Sequence, residues 1–240
     1  MADQSPGHTV KSYDNEIHQL RSLIAQMGGL CESQIIASVD ALQRRDSDAA
    51  LSVVATDARI DALETEAEAL AIRIIALRAP MASDLREIVA ALKISSVLER
   101  VGDYAKNIAK RASVLAQSAP IAPMVIVPEM ARVVASMVKD VLDAFVDRDP
   151  DKALAVCQRD ATVDNLYSSL FRSLLTFMME NPQAITPSAH LLFIAKNLER
   201  IGDHATNVAE MVHYSATGTH IAERPRGDDT SLSNFAPAAN

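Results

Sequence analysis

The sequence predicts an all-α protein built as two tandem, similar three-helix bundles, six helices in all. Three observations carry this. Apolar residues recur at helical spacing through most of the 240 residues. The chain has 7 glycines, no tryptophan and only 4% aromatics, whereas strand-rich folds draw on β-branched residues, aromatics and turn glycines. One phrase also occurs twice: "LERVGDYAKNIA" begins at Leu98 and "LERIGDHATNVA" at Leu198.

The first helix shows its seam plainly. Ile17, Leu20, Ile24, Met27, Cys31, Ile35, Val39 and Leu42 alternate steps of three and four, the signature of one apolar face. "RRDSDAA" interrupts it, with Asp46 as the cap of a second helix and Asp48 where the helix dipole favours an acid. The second helix is expected from about Asp48 to Leu77 and stops at Pro80. Ser83 is the expected cap of a third, which reaches about Leu115. "AQSAPIAPMVIVP" carries three prolines, and Pro128 suits the first turn of a fourth helix. That helix carries Met130, Val133, Val134, Met137, Val141 and Phe145. Asp149 before Pro150 is a cap followed by proline, and starts the fifth. Thr186 before Pro187 repeats the pattern for the sixth, which runs to about Ala216.

The halves also align outside the doubled phrase, since "DALQRRDSDAALSVVATDARIDAL" resembles "LDAFVDRDPDKALAVCQRDATVDNL". The expected organisation is a first bundle over 1–117 with a short flexible N-terminus, a proline-bearing linker over 118–127, a second bundle over 128–217 and a disordered tail over 218–240.

Bulk properties exclude several function classes. The net charge of -8, with basic residues clustered in sequence only as short pairs such as Arg44-Arg45, argues against nucleic-acid binding and against a general attraction to anionic lipid. No apolar stretch approaches the ~20 residues of a membrane span, and the first residues have no leader-like apolar region. A soluble cytoplasmic protein is expected, meeting membranes only through protein partners. Cys31 and Cys157 stand apart among apolar residues and read as packing residues of a reducing compartment. Neither a glycine-rich phosphate loop nor a nucleophile elbow is present, so the chain is not expected to be an enzyme.

The chemistry lies in paired acids. Glu99 and Asp103 are four apart and leave one helix face, as do Glu199 and Asp203. Like charges at that spacing cost about 0.2–0.5 kcal/mol, and Gly102 or Gly202 inside a helix costs about 1 kcal/mol against alanine. Asp57 with Asp61, and Asp160 with Asp164, form matching pairs on the second helix of each half. If helices two and three pack in register, four carboxylates converge in each half, and such a group binds cations or becomes partly protonated. The glycine then admits a close neighbour. Asn107 and Asn207 extend the stripe by a turn. The competing reading is a solvated acidic face, whose two copies are not independent witnesses.

Histidines support less. His204 corresponds to Tyr104, and His18, His190 and His213 have no repeated counterpart. Glu210 and His213 spell the Glu-x-x-His of di-iron bundles, yet Lys110 and Ser113 stand at the matching positions. A carboxylate-bridged, metal-dependent helical-bundle enzyme therefore ranks second.

"RAPMASDLREIVAALKISSVLERVGDYAKNIAKR" and "NLERIGDHATNVAEMV" resemble the two signature regions of the PhoU family of phosphate-specific transport accessory proteins, and the likeness covers about residues 10–217. The resemblance implies two three-helix bundles in a negative regulator of the phosphate-starvation response. It implies an adaptor between the phosphate ABC transporter, through its ATPase subunit, and a sensor histidine kinase. It also implies a homodimer and metal ions (Fe, Zn, Mn or Mg) held by E(D)xxxD motifs, here Asp57/Asp61, Glu99/Asp103, Asp160/Asp164 and Glu199/Asp203. A metal so held would bridge carboxylates to phosphate or to a phosphorylated or acidic partner. One departure is the turn carrying Arg78, Asp84 and Arg86, which the second half lacks.

Overall fold

A computed structural model describes residues 6–221, with side chains from residue 12 onward. Most of the tail expected after Gly218, from residue 222 on, lies outside the described residues. The described chain is helical: α1 (Pro6–Arg44), α2 (Ser47–Thr56), α3 (Ala58–Arg78), α4 (Ser83–Leu115), α5 (Val127–Asp147), α6 (Pro150–Glu180) and α7 (Ile185–Thr217). The seam predicted on α1 is buried along its length, with Ile24, Met27, Cys31 and Ile35 fully enclosed. Cys31 donates its thiol to the Leu98 carbonyl at 3.2 Å, and burial pushes that thiol up to about 12.

The second predicted helix is divided at Asp57 into α2 and α3. Asp57 keeps right-handed helical dihedrals, but its carbonyl accepts from both Ile60 (2.8 Å) and Asp61 (3.3 Å), so the ladder tightens there. Asp46 accepts from the Ala49 amide at 2.9 Å as expected of a cap. Asp149 accepts from the amides of Asp151 and Lys152, each at 3.0 Å. Two expected caps are displaced. Ser83 is the first residue of α4 and not its cap, because the Met81 and Ala82 carbonyls take the first helical amides. Thr186 lies inside α7, because a 3-10 turn over Pro182–Ala184 leads directly into that helix. Pro187 then sits in the first turn, where its missing N–H costs nothing.

α1 and α5 end alike. Arg45 (φ 57°) and Arg148 (φ 55°) are both left-handed, and the following amides of Asp46 and Asp149 reach back five residues to Ala41 and Ala144. This is the Schellman arrangement, with arginine where glycine is usual. Each arginine is anchored in compensation. Arg45 donates to the Ala116 and Ser118 carbonyls at the end of α4, and Arg148 pairs with buried Glu87.

In the first half α1, α2 and α3 pack on α4; in the second, α5 and α6 pack on α7; the halves meet through α1 against α5 and α4 against α7. One continuous cluster of buried residues runs through both. Glu87 of α4, 4% exposed, holds Arg21 of α1 at 2.6 Å as well as Arg148, so one buried carboxylate ties three elements across the seam. Ile121 and Pro123, in the connection between halves, are also buried.

Neighbouring glycines on α1 meet opposite surroundings. A Cβ on Gly28 would overlap Leu142 Cδ1 and lie 3.3 Å from its Cγ, whereas one on Gly29 would meet nothing within 4 Å. Gly29→Ala is expected to stabilise the protein by about 0.5–1 kcal/mol through helix propensity. Gly28→Ala is expected to cost about 1–3 kcal/mol by overpacking the α1/α5 contact. Urea denaturation of the two variants measures both signs.

Candidate functional site: two carboxylate sets

The doubled phrase lies on α4 and α7, and its glycines face the partner helix. A Cβ on Gly102 would stand 2.9 Å from Ile60 Cδ1 and 3.4 Å from Asp57 Oδ1. One on Gly202 would stand 3.5 Å from Val163 Cγ1 and 3.6 Å from Asp160 Oδ1. In each half the missing side chain lets the first acid of the preceding helix sit flush on the backbone of the phrase. The approach is tighter in the first half.

The first set gathers Asp57, Asp61, Glu99 and Asp103. Asp57 is 5% exposed, Asp61 is exposed, and Glu99 and Asp103 are half-buried. Burial raises the Glu99 carboxyl, and the charges of Asp103, Glu64, Asp61 and Asp57 raise it further. Glu64 is a fifth member that the pairwise spacing did not reveal; burial raises its carboxyl too, with Glu68 and Asp61 adding to the shift. A cation already stands here. Lys106 Nζ donates to Asp57 Oδ2 at 2.5 Å and to Asp103 Oδ1 at 3.0 Å, and these bonds raise the lysine above its ordinary value. Beside Gly102 the Gln34 amide is 3% exposed, and neither its nitrogen nor its oxygen has a hydrogen-bond partner among the described residues.

The second set gathers Asp160, Asp164, Glu199 and Asp203, all half-buried. Burial first, then the charges of Glu199, Asp160 and Asp164, push the Asp203 carboxyl from its ordinary 3.8 up to about 6. The position matching Lys106 is Thr206, whose hydroxyl donates to the Asp203 carbonyl at 2.7 Å. The lysine of this set is instead Lys196, bonded to Glu199 Oε1 at 2.7 Å and lying 5.3 Å from the Tyr167 ring centroid. Glu199 Oε2 is buried and has no hydrogen-bond partner among the described residues. Among the described residues no three His, Cys, Asp or Glu side chains are arranged to hold a metal ion, so a cation here requires carboxylates to turn toward it.

Other candidates fall elsewhere. Asn107 is exposed, and Asn207 lines a groove with Arg86 and Lys93. The His213 Nδ1 lies 3.1 Å from the Thr219 carbonyl at the end of α7. Tyr104 and His204, matching positions of the two halves, stack on each other with centroids 5.4 Å apart. Arg78 binds Glu16 and Ser12 of α1, and Arg86 lies beside the end of α7 near the Ser215 carbonyl.

Because the Asp203 carboxyl titrates higher in the folded chain than in the unfolded one, the folded chain binds the extra proton between about pH 4 and pH 6. Stability of chelator-treated protein is therefore expected to fall as pH rises through that window and to stay lowered above it. Asp203→Asn is expected to flatten this slope and raise the melting temperature at neutral pH. Melting curves across the range, parent beside variant, measure it.

Residues 24–112 and 127–212 each match the family model described as the PhoU domain. The phosphate-specific transport system accessory protein PhoU homolog of Zymomonas mobilis is 54% identical over 223 residues, covering 93% of this chain and 94% of the relative. The homolog of the same description from Caulobacter vibrioides is 50% identical, covering 92% and 97%. The crystal structure of PhoU from Pseudomonas aeruginosa superposes with a TM-score of 0.83 at 41% identity, covering 86% of this chain and 100% of that one. That of the phosphate transport system regulatory protein PhoU from Streptococcus pneumoniae gives 0.81 at 27% identity, covering 88% and 100%. Matched in both halves by the family model, and along nearly its whole length by these relatives, the chain belongs to the PhoU family.

Proposed function

We propose that this chain is an accessory protein of a phosphate transport system that restrains the phosphate-starvation response when phosphate is plentiful. The observation that carries this is 54% identity, over nearly the full length of both chains, to a phosphate-specific transport accessory protein. It acts in the cytoplasm as a homodimeric adaptor between the ATPase subunit of the phosphate ABC transporter and a sensor histidine kinase. The end of α3 and the turn into α4 support contact with a partner, since they expose Leu77 (69%) and Met81 (81%) and the turn carries Ala79 and Ala82 at positive φ. Among the described residues no helix is long and apolar enough to cross a membrane.

The metal belongs to the same reading. Carboxylate-only sets suit Mg and Mn best, with Fe and Zn also candidates. The electrostatics of the second set favour a cation once its carboxylates turn toward it: it crowds four acids, raises Asp203, and its Lys196 bonds only Glu199 Oε1, leaving Glu199 Oε2 without a hydrogen-bond partner among the described residues. Asp160, Asp164, Glu199 and Asp203 would hold it. A bound cation would cancel their mutual repulsion and offer open positions to an anionic partner. In the first set Asp57, Asp61, Glu99 and Asp103 would serve only after Lys106 withdrew.

Deleting the gene in its own organism is expected to raise phosphate-starvation transcripts in high phosphate, read by a reporter; transcripts that stay silent sink the regulatory reading. Elemental analysis of the purified chain supplied with Fe, Mn, Zn and Mg tests the metal separately. We expect metal in the parent, loss in Asp203→Asn, and an increase in Lys106→Thr, which removes the resident ammonium. Metal content unmoved by both substitutions places any ion outside these sets.

A further inference from the structure

The contact between α4 and α7 leaves a groove of about 790 Å³ on one side. Its charge runs against that of the chain, whose net value is -8. Arg86, Lys93 and Arg100 line it, and Glu210 is the one acid among its lining residues. These three cations stand seven residues apart on α4, so they recur about every 10.5 Å along one edge. Among the described residues neither Lys93 nor Arg100 has an ion-pair partner, and both are exposed. Apolar side chains share the lining: Leu85, Val89 and Val97 from α4, Met211 and Tyr214 from α7.

The repeat supplies a control face. Residues one hundred positions later stand where Lys93 and Arg100 would, and they are Phe193 and Arg200. Met211 corresponds to Arg111 in the same way. On that face Arg111 lies 4.2 Å over the Phe193 ring and 3.3 Å from His190 Nδ1. Among the described residues the two equivalent positions therefore differ: a guanidinium stands over a ring at one, and a cation-lined groove lies at the other.

We propose that this groove docks an acidic amphipathic helix of a partner protein. Charge complementarity argues for the acid, and spacing argues for the helix. A helix laid along α4 repeats its own carboxylates every seven residues on one side, in step with Arg86, Lys93 and Arg100. Its apolar stripe then covers Val89, Val97, Met211 and Tyr214, as in helix-in-groove recognition. From Leu85 to Arg100 the edge is about 22 Å long, which matches about 16 helical residues. The inference stands apart from the carboxylate sets and needs no metal.

The test is fluorescence anisotropy with the full chain and a labelled synthetic helix of about 16 residues, leucines on its apolar face and glutamates flanking them. Saturable binding is expected, weakened about tenfold or more by Lys93→Glu and further by Lys93→Glu with Arg100→Glu, and weakened by salt. Both side chains are exposed, and circular dichroism checks that the variants remain folded. A peptide with lysine for every glutamate is expected not to bind. The proposal is overturned if the acidic peptide fails to bind the parent, if the variants bind it as tightly, or if the lysine peptide binds equally well.

Discussion

A carboxylate can be enclosed between helices only if positive charge or hydrogen bonds enter with it, because the uncompensated ion costs several kcal/mol. Among the described residues two acids are almost wholly enclosed, and both obey. Glu87 has Arg21 and Arg148; Asp57 has Lys106. The first of these joins α1 and α4 to the end of α5, across the seam between the halves. The second fastens the α2/α3 junction to α4. Much of the remaining arrangement follows from where these ions meet. The left-handed Arg148, unfavourable for a residue with a Cβ, is held where its guanidinium reaches Glu87. The tightened ladder at Asp57 lies where α3 comes closest to Gly102.

The carboxylate sets show the same constraint less completely solved. Duplication copied the acids but not their counter-ions. The first half places its lysine one turn after the glycine, as Lys106, and the second places it one turn before the glutamate, as Lys196. Each set keeps a portion of unrelieved repulsion, around Glu99 in one and Asp203 in the other. A region that stays electrostatically unsettled in an otherwise well-packed protein is a natural place for a ligand, since binding supplies what folding left undone.

Much of this could be read from the residues alone. The α1 seam, the Asp46 and Asp149 caps and the close approach at both glycines follow from local rules: period, side-chain acceptors and the absence of a Cβ. What escaped depends on neighbours distant in sequence. Lys106 looks like an ordinary (i, i+3) partner of Asp103, and its bond to Asp57 appears only once α4 lies on α2 and α3. Glu64 sits outside the four-residue spacing that marked the other acids. Gln34 is an amide whose enclosure depends on what α4 places over it. The Ser83 and Thr186 caps failed because backbone carbonyls and a 3-10 turn had already supplied what a cap provides. The basic groove escaped for the same reason as Lys106: its walls are more than a hundred residues apart in the chain.

Tyr104 and His204 occupy the same place in the two repeats and stack on each other, so they stand close to the approximate two-fold axis relating the halves. In a symmetric dimer of single repeats, a residue on such an axis faces its own copy, and one substitution changes both partners at once. Joining the repeats in one chain lifts that restriction. The position can hold a phenol against an imidazole, 3.3 Å apart between Tyr104 Oη and His204 Nε2, a pairing that a self-facing residue could never provide. Heterogeneity begins at the axis and extends to the flanks, where Arg111 lies over Phe193 on one side and the matching Met211 lines a groove with Lys93 on the other.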